Sequence, residues 1–387
     1  MPPENPIIKG RLLLIHLTKL LRGGNFPGDE ARFPRPGAPP GPVRPVVVWH
    51  MTNTCNLRCR HCYASDEGAG TPMSRAEAFA FLDRLAALGP TALLLSGGEP
   101  LTRPDFFELV ERAVALGLRV SLSTNGTLID ARAAEFLKDR GVGYVGVSLD
   151  GTKVANDAFR GLDGAFAATV AGIEALRNAK VRVGLRFTMA RPLLPELADI
   201  MRISKDLAVD RVCFYHFIPS GRGRNGTKLL PARSEARDAL SALFDWVDRG
   251  APEEVLTVGN FSDGILLYLL LKERGDGRAE NVATLLVGGG GRSGRGIVSL
   301  RWDGVLFPDQ FSWAWPWAWP RPIERWTEIG KFFAAAPLPE PPALHGRCGR
   351  CRWLSLCRGG MRARAAAMTG DPAGEDPGCV LEDHELY

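Results

Sequence analysis

Between residues 46 and 217, short apolar or β-branched runs recur at regular intervals. They lie at Val46–Trp49, Ala92–Ser96, Val120–Ser123, Tyr144–Leu149, Val181–Thr188 and Val212–Phe217, and each predicts a strand. The stretches between them carry apolar positions at helical spacing. In the first, Ser74-Arg75-Ala76-Glu77 forms a capping box ahead of Phe79, Leu82, Leu85 and Ala86. Further helices are predicted at about Pro104–Leu116, Asp130–Arg140, Ala165–Asn178 and Leu194–Leu207. Strands that alternate with crossover segments require an α/β fold with a parallel sheet, either open and doubly wound or a partial barrel. In both, ligands bind at the carboxyl ends of the strands.

The flanks break this rhythm. Residues 22–45 are rich in Gly and Pro and read as an irregular lead-in. Ser220 to Gly226 ends the alternation, and residues 230–285 read as mainly helical, through Ala232–Arg249 and Asp263–Glu273. A Gly-rich stretch then opens an irregular segment that bears cysteines. The expected organisation is a lead-in (1–45), a core (46–220), a helical connector (221–285) and a C-terminal unit (286–387).

Composition narrows the function classes. The 387 residues, 45% hydrophobic, can bury a substantial core. A net charge of +5 suits an acidic small molecule and lacks the dense basic stripe of a nucleic-acid binder. The Gly–Arg segments are too short for an RNA-binding tract. Met1 to Gly10 has no signal-peptide pattern, and the apolar run Ile265–Leu271 is far below a bilayer span. A cytoplasmic protein without nucleic-acid or membrane partners is expected. In that compartment eight cysteines point to metal or redox chemistry rather than disulfides.

Three of them form Cys55-x3-Cys59-x2-Cys62, directly after the first strand. Cys59-x2-Cys62 alone fits half a zinc site. All three together can hold three irons of a [4Fe–4S] cubane and leave the fourth open to a ligand. After the second strand comes Ser96-Gly97-Gly98-Glu99-Pro100, where two glycines permit close backbone approach and Glu99 offers a carboxylate to an ammonium group. Ser123-Thr124-Asn125-Gly126 and Ser148-Leu149-Asp150-Gly151 follow the third and fourth strands, with hydroxyl and amide groups suited to a ribose. Each alone reads as a turn. All at one sheet edge form a constellation.

Cys55-x3-Cys59-x2-Cys62 with Gly97-Gly98-Glu99-Pro100 resembles the radical S-adenosylmethionine (SAM) superfamily over roughly residues 45–220. The resemblance implies a partial (β/α)6 barrel with a C-terminal iron–sulfur extension. It implies that Cys55, Cys59 and Cys62 ligate the cluster, whose open iron chelates the methionyl amino and carboxylate groups. Gly97, Gly98 and Glu99 would hold the amino group; Ser123, Asn125 and Ser148 would face the ribose or carboxylate. An electron from a donor such as ferredoxin or flavodoxin would then cleave SAM, and a 5′-deoxyadenosyl radical would take a substrate hydrogen.

Near the end, Cys348-x2-Cys351-x5-Cys357 and Cys379 match a complete cluster or a four-thiolate zinc site. Cys213, in an apolar strand, reads as packing. The segment resembles the SPASM extension in reduced form: Met361 and Asp309 stand where that pattern has further cysteines. This implies one auxiliary [4Fe–4S] cluster on Cys348, Cys351, Cys357 and Cys379, used for electron transfer.

Phe214 to Gly223, Pro308-Asp309-Gln310-Phe311 and Arg362 to Pro377 are similar to the tetrapyrrole side-chain enzymes of heme d1 synthesis and of the siroheme-dependent heme route. These remove acetate or propionate arms from didecarboxysiroheme, or decarboxylate coproheme. The resemblance implies a lyase or oxidoreductase acting on a polycarboxylate tetrapyrrole, for which Arg186, Arg222, Arg224, Arg292 and Arg295 are candidate cations. Among His16, His50 and His216, His216 at the end of the sixth strand is the candidate catalytic group. Two departures stand out: Phe307 replaces a histidine, and Trp313, Trp315, Trp317 and Trp319 crowd one stretch. These tryptophans are expected to pack the extension against the core rather than stack on a macrocycle. The alternative is a SPASM-type maturase of a ribosomally made peptide.

Overall fold

The computed structural model describes residues 14–27, 44–65, 70–287, 290, 293–294, 296–314, 324–333 and 343–387. Strand β1 (Leu14–His16) comes first, inside the expected lead-in. The six expected strands follow as β2 (Val46–His50), β3 (Ala92–Ser96), β4 (Val120–Thr124), β5 (Tyr144–Ser148), β6 (Val183–Met189) and β7 (Arg211–His216). Then come β8 (Glu254–Val258), β9 (Ile297–Leu300), β10 (Val305–Phe307) and β11 (Glu324–Arg325). All join one sheet in the order β1-β8-β7-β6-β5-β4-β3-β2-β9-β10-β11.

The strands from β2 to β8 pair in parallel, and β9 lies parallel beside β2. The α/β reading is therefore right, but the parallel set runs one strand further on each side. Strand β8 falls inside the expected helical connector, between the helices Arg233–Asp248 and Ser262–Glu273. Its five residues are too short to register as a period between two strongly helical segments.

Side-chain alternation sorts the two faces of the sheet. Trp49, Leu95, Leu122, Val147, Phe187 and Phe214 point outward into the main core, against helix residues such as Phe81, Leu85 and Leu109. The ring of Trp49 meets Phe81 edge-on at 5.1 Å. Full burial of side chains this size contributes about 1.5–3 kcal/mol each. The inner face mixes apolar residues such as Val48 and Leu94 with small and polar ones: Ser121, Ser123, Gly146, Ser148, Gly184 and Arg186. Residues as distant in the sheet as Val48 on β2 and Val258 on β8 line one cavity, so the sheet curls around it.

The helix Lys153–Arg160 has no apolar signature, because it is built the wrong way round for one. It buries Asn156, Asp157, Phe159 and Arg160 and leaves Val154 80% exposed. Its polar face is turned inward to build the site.

Candidate cluster and cofactor site

Cys55, Cys59 and Cys62 line a cavity of about 170 Å3 at the carboxyl edge of the sheet. Their loop is clamped on three sides. From the helix Lys153–Arg160, the carbonyls of Arg160 and Phe159 accept from the Arg58 and Arg60 amides at 3.1 and 2.9 Å. From the segment after β7, Arg222 donates from Nε to the Cys59 carbonyl at 3.1 Å and from its amide to Ser65 Oγ at 2.8 Å. A Cβ at Gly223 would stand 2.8 Å from the His61 carbonyl oxygen, and one at Gly221 would overlap that of Cys62. The Gly221-Arg222-Gly223 sequence is therefore a clasp for the cysteine loop.

The third clamp is the glycine pair after β3. The Gly98 amide donates to the Thr52 carbonyl at 2.7 Å and the Glu99 amide to the Thr54 carbonyl at 2.8 Å. A Cβ at Gly97 would lie 2.8 Å from the Thr52 oxygen, and Gly97 has φ of +151°. Close approach does require these glycines, and the first thing they approach is the chain leading to Cys55.

Gly97, Gly98, Ser123, Asn125, Ser148 and His216 line the same cavity as the cysteines. Glu99 does not. Its carboxylate is wholly buried and accepts from Thr124 Oγ1 at 2.8 Å, the Asn125 amide at 2.8 Å and the Leu101 amide at 3.2 Å. Burial, against those three donors, pushes its acid dissociation up to about 7. Glu99 thus locks the end of β3 to the end of β4. Asn125 turns its Nδ2 to Asn56 Oδ1 at 2.9 Å and toward Cys55 Sγ at 3.9 Å.

Asp150, which the sequence shows only as part of Ser148-Leu149-Asp150-Gly151, and Arg160, which it does not single out, stand beside the cysteine loop. Asp150, fully buried, pairs with Arg160 at 2.6 Å and accepts from the Thr188 amide at 3.0 Å; His61 stands 3.4 Å away. Arg160 extends Nη1 to Cys59 Sγ at 3.8 Å. His216 meets Asp263 at 2.9 Å through Nε2, at the cavity wall. His50 is wholly buried with neither ring nitrogen hydrogen-bonded, and burial lowers it to about 3. Its ring lies 4.3 Å from Trp313, which also contacts Trp302 and Phe307, so Trp313 packs the extension onto β2. His16 caps the helix Leu17–Arg22 and lies 3.5 Å from Glu254, far from the cysteines. Arg292, Arg295, Trp315, Trp317 and Trp319 lie outside the described residues.

Cys348, Cys351, Cys357 and Cys379 also come together, around a pocket of about 30 Å3 walled by Ile265, Trp353, Leu381 and Leu386. Arg233 donates to the Cys379 carbonyl at 3.2 Å and Asn260 to the Gly378 carbonyl at 2.8 Å, docking this segment on the sheet domain. Cys213 is buried on the inner face of β7.

The donor sets suit iron–sulfur clusters. Burial pushes the Cys55 thiol up to about 11 and raises Cys59 too, so thiolates form here only against added positive charge. The same holds for Cys379, at about 11, and for Cys357. Among the described residues no three His, Cys, Asp or Glu side chains converge at the spacing of a single metal ion. A cubane gives each thiolate its own iron and spreads its ligands wider.

The radical SAM superfamily profile matches residues 49–205. The chain is 38% identical to Fe-coproporphyrin III synthase of Methanosarcina barkeri, covering 96% of this chain and 99% of that one. It is 34% identical to pre-heme d1 synthase of Dinoroseobacter shibae, over 88% and 87%. In fold it matches Streptococcus suis SuiB bound to S-adenosylmethionine, with a TM-score of 0.66 and 14% identity over 88% of this chain and 78% of that one. Among the described residues no helix is long and apolar enough to cross a membrane. The chain belongs to the radical SAM superfamily, whose members carry a [4Fe–4S] cluster and SAM, and its relatives include synthases of heme-type tetrapyrroles.

Proposed function

We propose that this protein removes or modifies carboxylate side chains, acetate or propionate, of a siroheme-derived tetrapyrrole. The observation that carries this reading is the end-to-end likeness to Fe-coproporphyrin III synthase, at 38% identity over 96% of the chain. A cluster with one open iron, together with SAM, supplies a one-electron cleavage that yields a hydrogen-abstracting radical. Cys55, Cys59 and Cys62 hold that cluster, with Arg160 offsetting thiolate charge from one side. The backbone at Gly97 and Gly98 and the polar atoms of Ser123, Asn125 and Ser148 bind and orient SAM. Glu99 acts one step back, by fixing the strand end that carries Asn125. The inner wall of the sheet keeps water from the reacting atoms.

His216, steered by Asp263, is the residue of this wall equipped to hold or move a proton at Nδ1. Cys348, Cys351, Cys357 and Cys379 hold one auxiliary [4Fe–4S] cluster that passes electrons. The donor is a ferredoxin or flavodoxin, and the reaction is cytoplasmic. The peptide-maturase alternative has weaker support: mycofactocin maturase MftC of Mycobacterium ulcerans aligns over 86% of this chain at 32% identity, against 96% at 38% for Fe-coproporphyrin III synthase.

The deciding experiment is anaerobic turnover of reconstituted, reduced protein with SAM and didecarboxysiroheme, read by mass spectrometry. The reading expects 5′-deoxyadenosine together with loss of acetate or propionate mass. Formation of 5′-deoxyadenosine with an unchanged tetrapyrrole would retain the radical chemistry and reject this substrate.

A further inference from the structure

Beneath the cysteine loop lies a lumen of about 470 Å3, which shares Val48, Leu94, Arg186, Tyr215, Gln310 and Phe311 with the cofactor cavity. Arg186 on β6 reaches into both. Its Nη1 donates to Ser123 Oγ, and its guanidinium carbon lies 6.0 Å from the ring centre of Tyr215. Its Nε has no hydrogen-bond partner, and among the described residues no carboxylate pairs with it. Other buried arginines differ. Arg182 and Arg211, which line the same lumen, share Glu254, and Arg160 has Asp150. A desolvated guanidinium without a counter-ion is costly, and such a group is stabilised when an anion arrives.

The surroundings are shaped for this. On β5, Gly146 lies directly under the guanidinium, and a Cβ there would overlap Nε and come 2.6 Å from the central carbon. On β6, Gly184 makes the same room for Tyr144, where a Cβ would come 2.9 Å from the ring. The Tyr144 hydroxyl is buried and also lacks a partner. Arg186 Nε and the Tyr144 hydroxyl are thus buried donors without partners in the wall of this lumen, each packed over a glycine whose missing Cβ leaves it room.

We propose that Arg186, with Tyr144, seats a carboxylate arm of the substrate inside the barrel; this rests on the tetrapyrrole reading above. The other possible source is the methionyl carboxylate of SAM. The substrate is favoured because the lumen joins an apolar wall, Leu94, Leu256, Val258 and Phe311, to the further cations Arg119, Arg182 and Arg211, which suits a hydrocarbon edge carrying carboxylates better than a zwitterion with an ammonium group. The seat lies deep to the cofactor, so the arm it grips defines which carbon faces the radical.

The test uses full-length, cluster-reconstituted protein in the wild-type form and as Arg186→Gln, Arg186→Lys and Tyr144→Phe. Didecarboxysiroheme binding is followed by absorption titration, and SAM binding by calorimetry. Arg186→Gln should weaken tetrapyrrole binding about 10- to 100-fold, the range for a lost charge-assisted bond. Arg186→Lys should recover part of this, and Tyr144→Phe should weaken binding about threefold. SAM affinity should move less than about threefold in all of them. The methyl ester of the same tetrapyrrole should bind wild type and Arg186→Gln alike. Loss of SAM affinity with tetrapyrrole binding intact would give the seat to the methionyl carboxylate and overturn the proposal. No change in either would make Arg186 a brace for the sheet and would overturn it equally. Wild type that binds no tetrapyrrole would fail the substrate reading itself and take this seat with it.

Discussion

The two cysteine sites are built to opposite plans. The first places three thiols on a loop at the mouth of a parallel sheet, facing about 170 Å3 of space lined by serine, threonine, asparagine and arginine. The second gathers four thiols from short turns around about 30 Å3, walled by Ile265, Trp353, Leu354, Leu381 and Leu386 together with Asn260, Ser262, Arg347, Glu375 and Asp376. On the proposed reading, the first has three ligands and more room, as suits a centre that binds and turns over a cofactor, and the second has four ligands and less room, as suits an electron carrier. Buried ion pairs brace both: Asp150 with Arg160 beside the first, and Asp376 with Arg364 at 2.7 Å beside the second.

Removing one thiol from each is the strongest way to break this comparison. Cys55→Ala should lose about four irons per chain and all SAM cleavage. Cys357→Ala should also lose about four irons yet keep SAM cleavage within about tenfold while tetrapyrrole turnover collapses. Iron analysis and 5′-deoxyadenosine yield read both. Equal loss of SAM cleavage in the two variants would erase the distinction.

A smaller effect is expected from the braces. Arg160→Met leaves Asp150 buried beside His61 without its cation, and should cost about 3–5 kcal/mol in thermal or denaturant unfolding. The double variant Asp150→Asn with Arg160→Met should recover part of that. A full cost in the double variant would show that the arginine packs rather than pairs.

Glu99 supplies a pH signature. Its folded-state value, about 7, lies above the usual 4.5, so between those pH values the folded state binds more protons than the unfolded. Stability from this group is complete below about pH 4.5 and falls as pH rises through 7. The difference between wild type and Glu99→Gln should shift by up to about 3 kcal/mol across that window. Taking the difference cancels His50 and His61, whose lowered values act in the opposite sense. A flat difference would mean that the carboxylate stays ionised on its three donors.

The smallest effect belongs to the seal of the second site. Trp353 donates from Nε1 to the Glu385 carbonyl at 2.8 Å, and Trp353→Phe should cost about 1 kcal/mol. It should also speed oxidative loss of the second cluster, seen as bleaching in air, while the first site bleaches at its original rate.

Much of this is legible along the chain. The six strands β2 to β7 show as apolar runs because they are buried on their outer face and evenly spaced by helices. The helix Arg75–Leu88 is readable down to its cap, where Ser74 Oγ and the Glu77 carboxylate exchange bonds with each other's backbone amides. The helix Lys153–Arg160 is not legible, because it buries charge and exposes valine. Strand β8 is hidden by its shortness, and β9 by the lack of any local clue that it would return beside β2. Glu99 stands out in the sequence but its direction does not, since nothing in Gly-Gly-Glu-Pro says that three donors from Leu101, Thr124 and Asn125 would claim it.

What the sequence determined by itself is the chemistry that lives within a few residues. Cys55, Cys59 and Cys62 sit on one short loop, so their spacing together with Gly97-Gly98-Glu99-Pro100 carries the family resemblance, which implies three ligands and an open iron. The periodicity that builds the sheet is local in the same way. Only the tertiary structure decided that Asp150 and Arg160 would brace Cys59, and that Arg186 would stand in the lumen with no acid beside it among the described residues. Those outcomes depend on which strands become neighbours and on what burial does to a charge, and neither is written in any one segment of the chain.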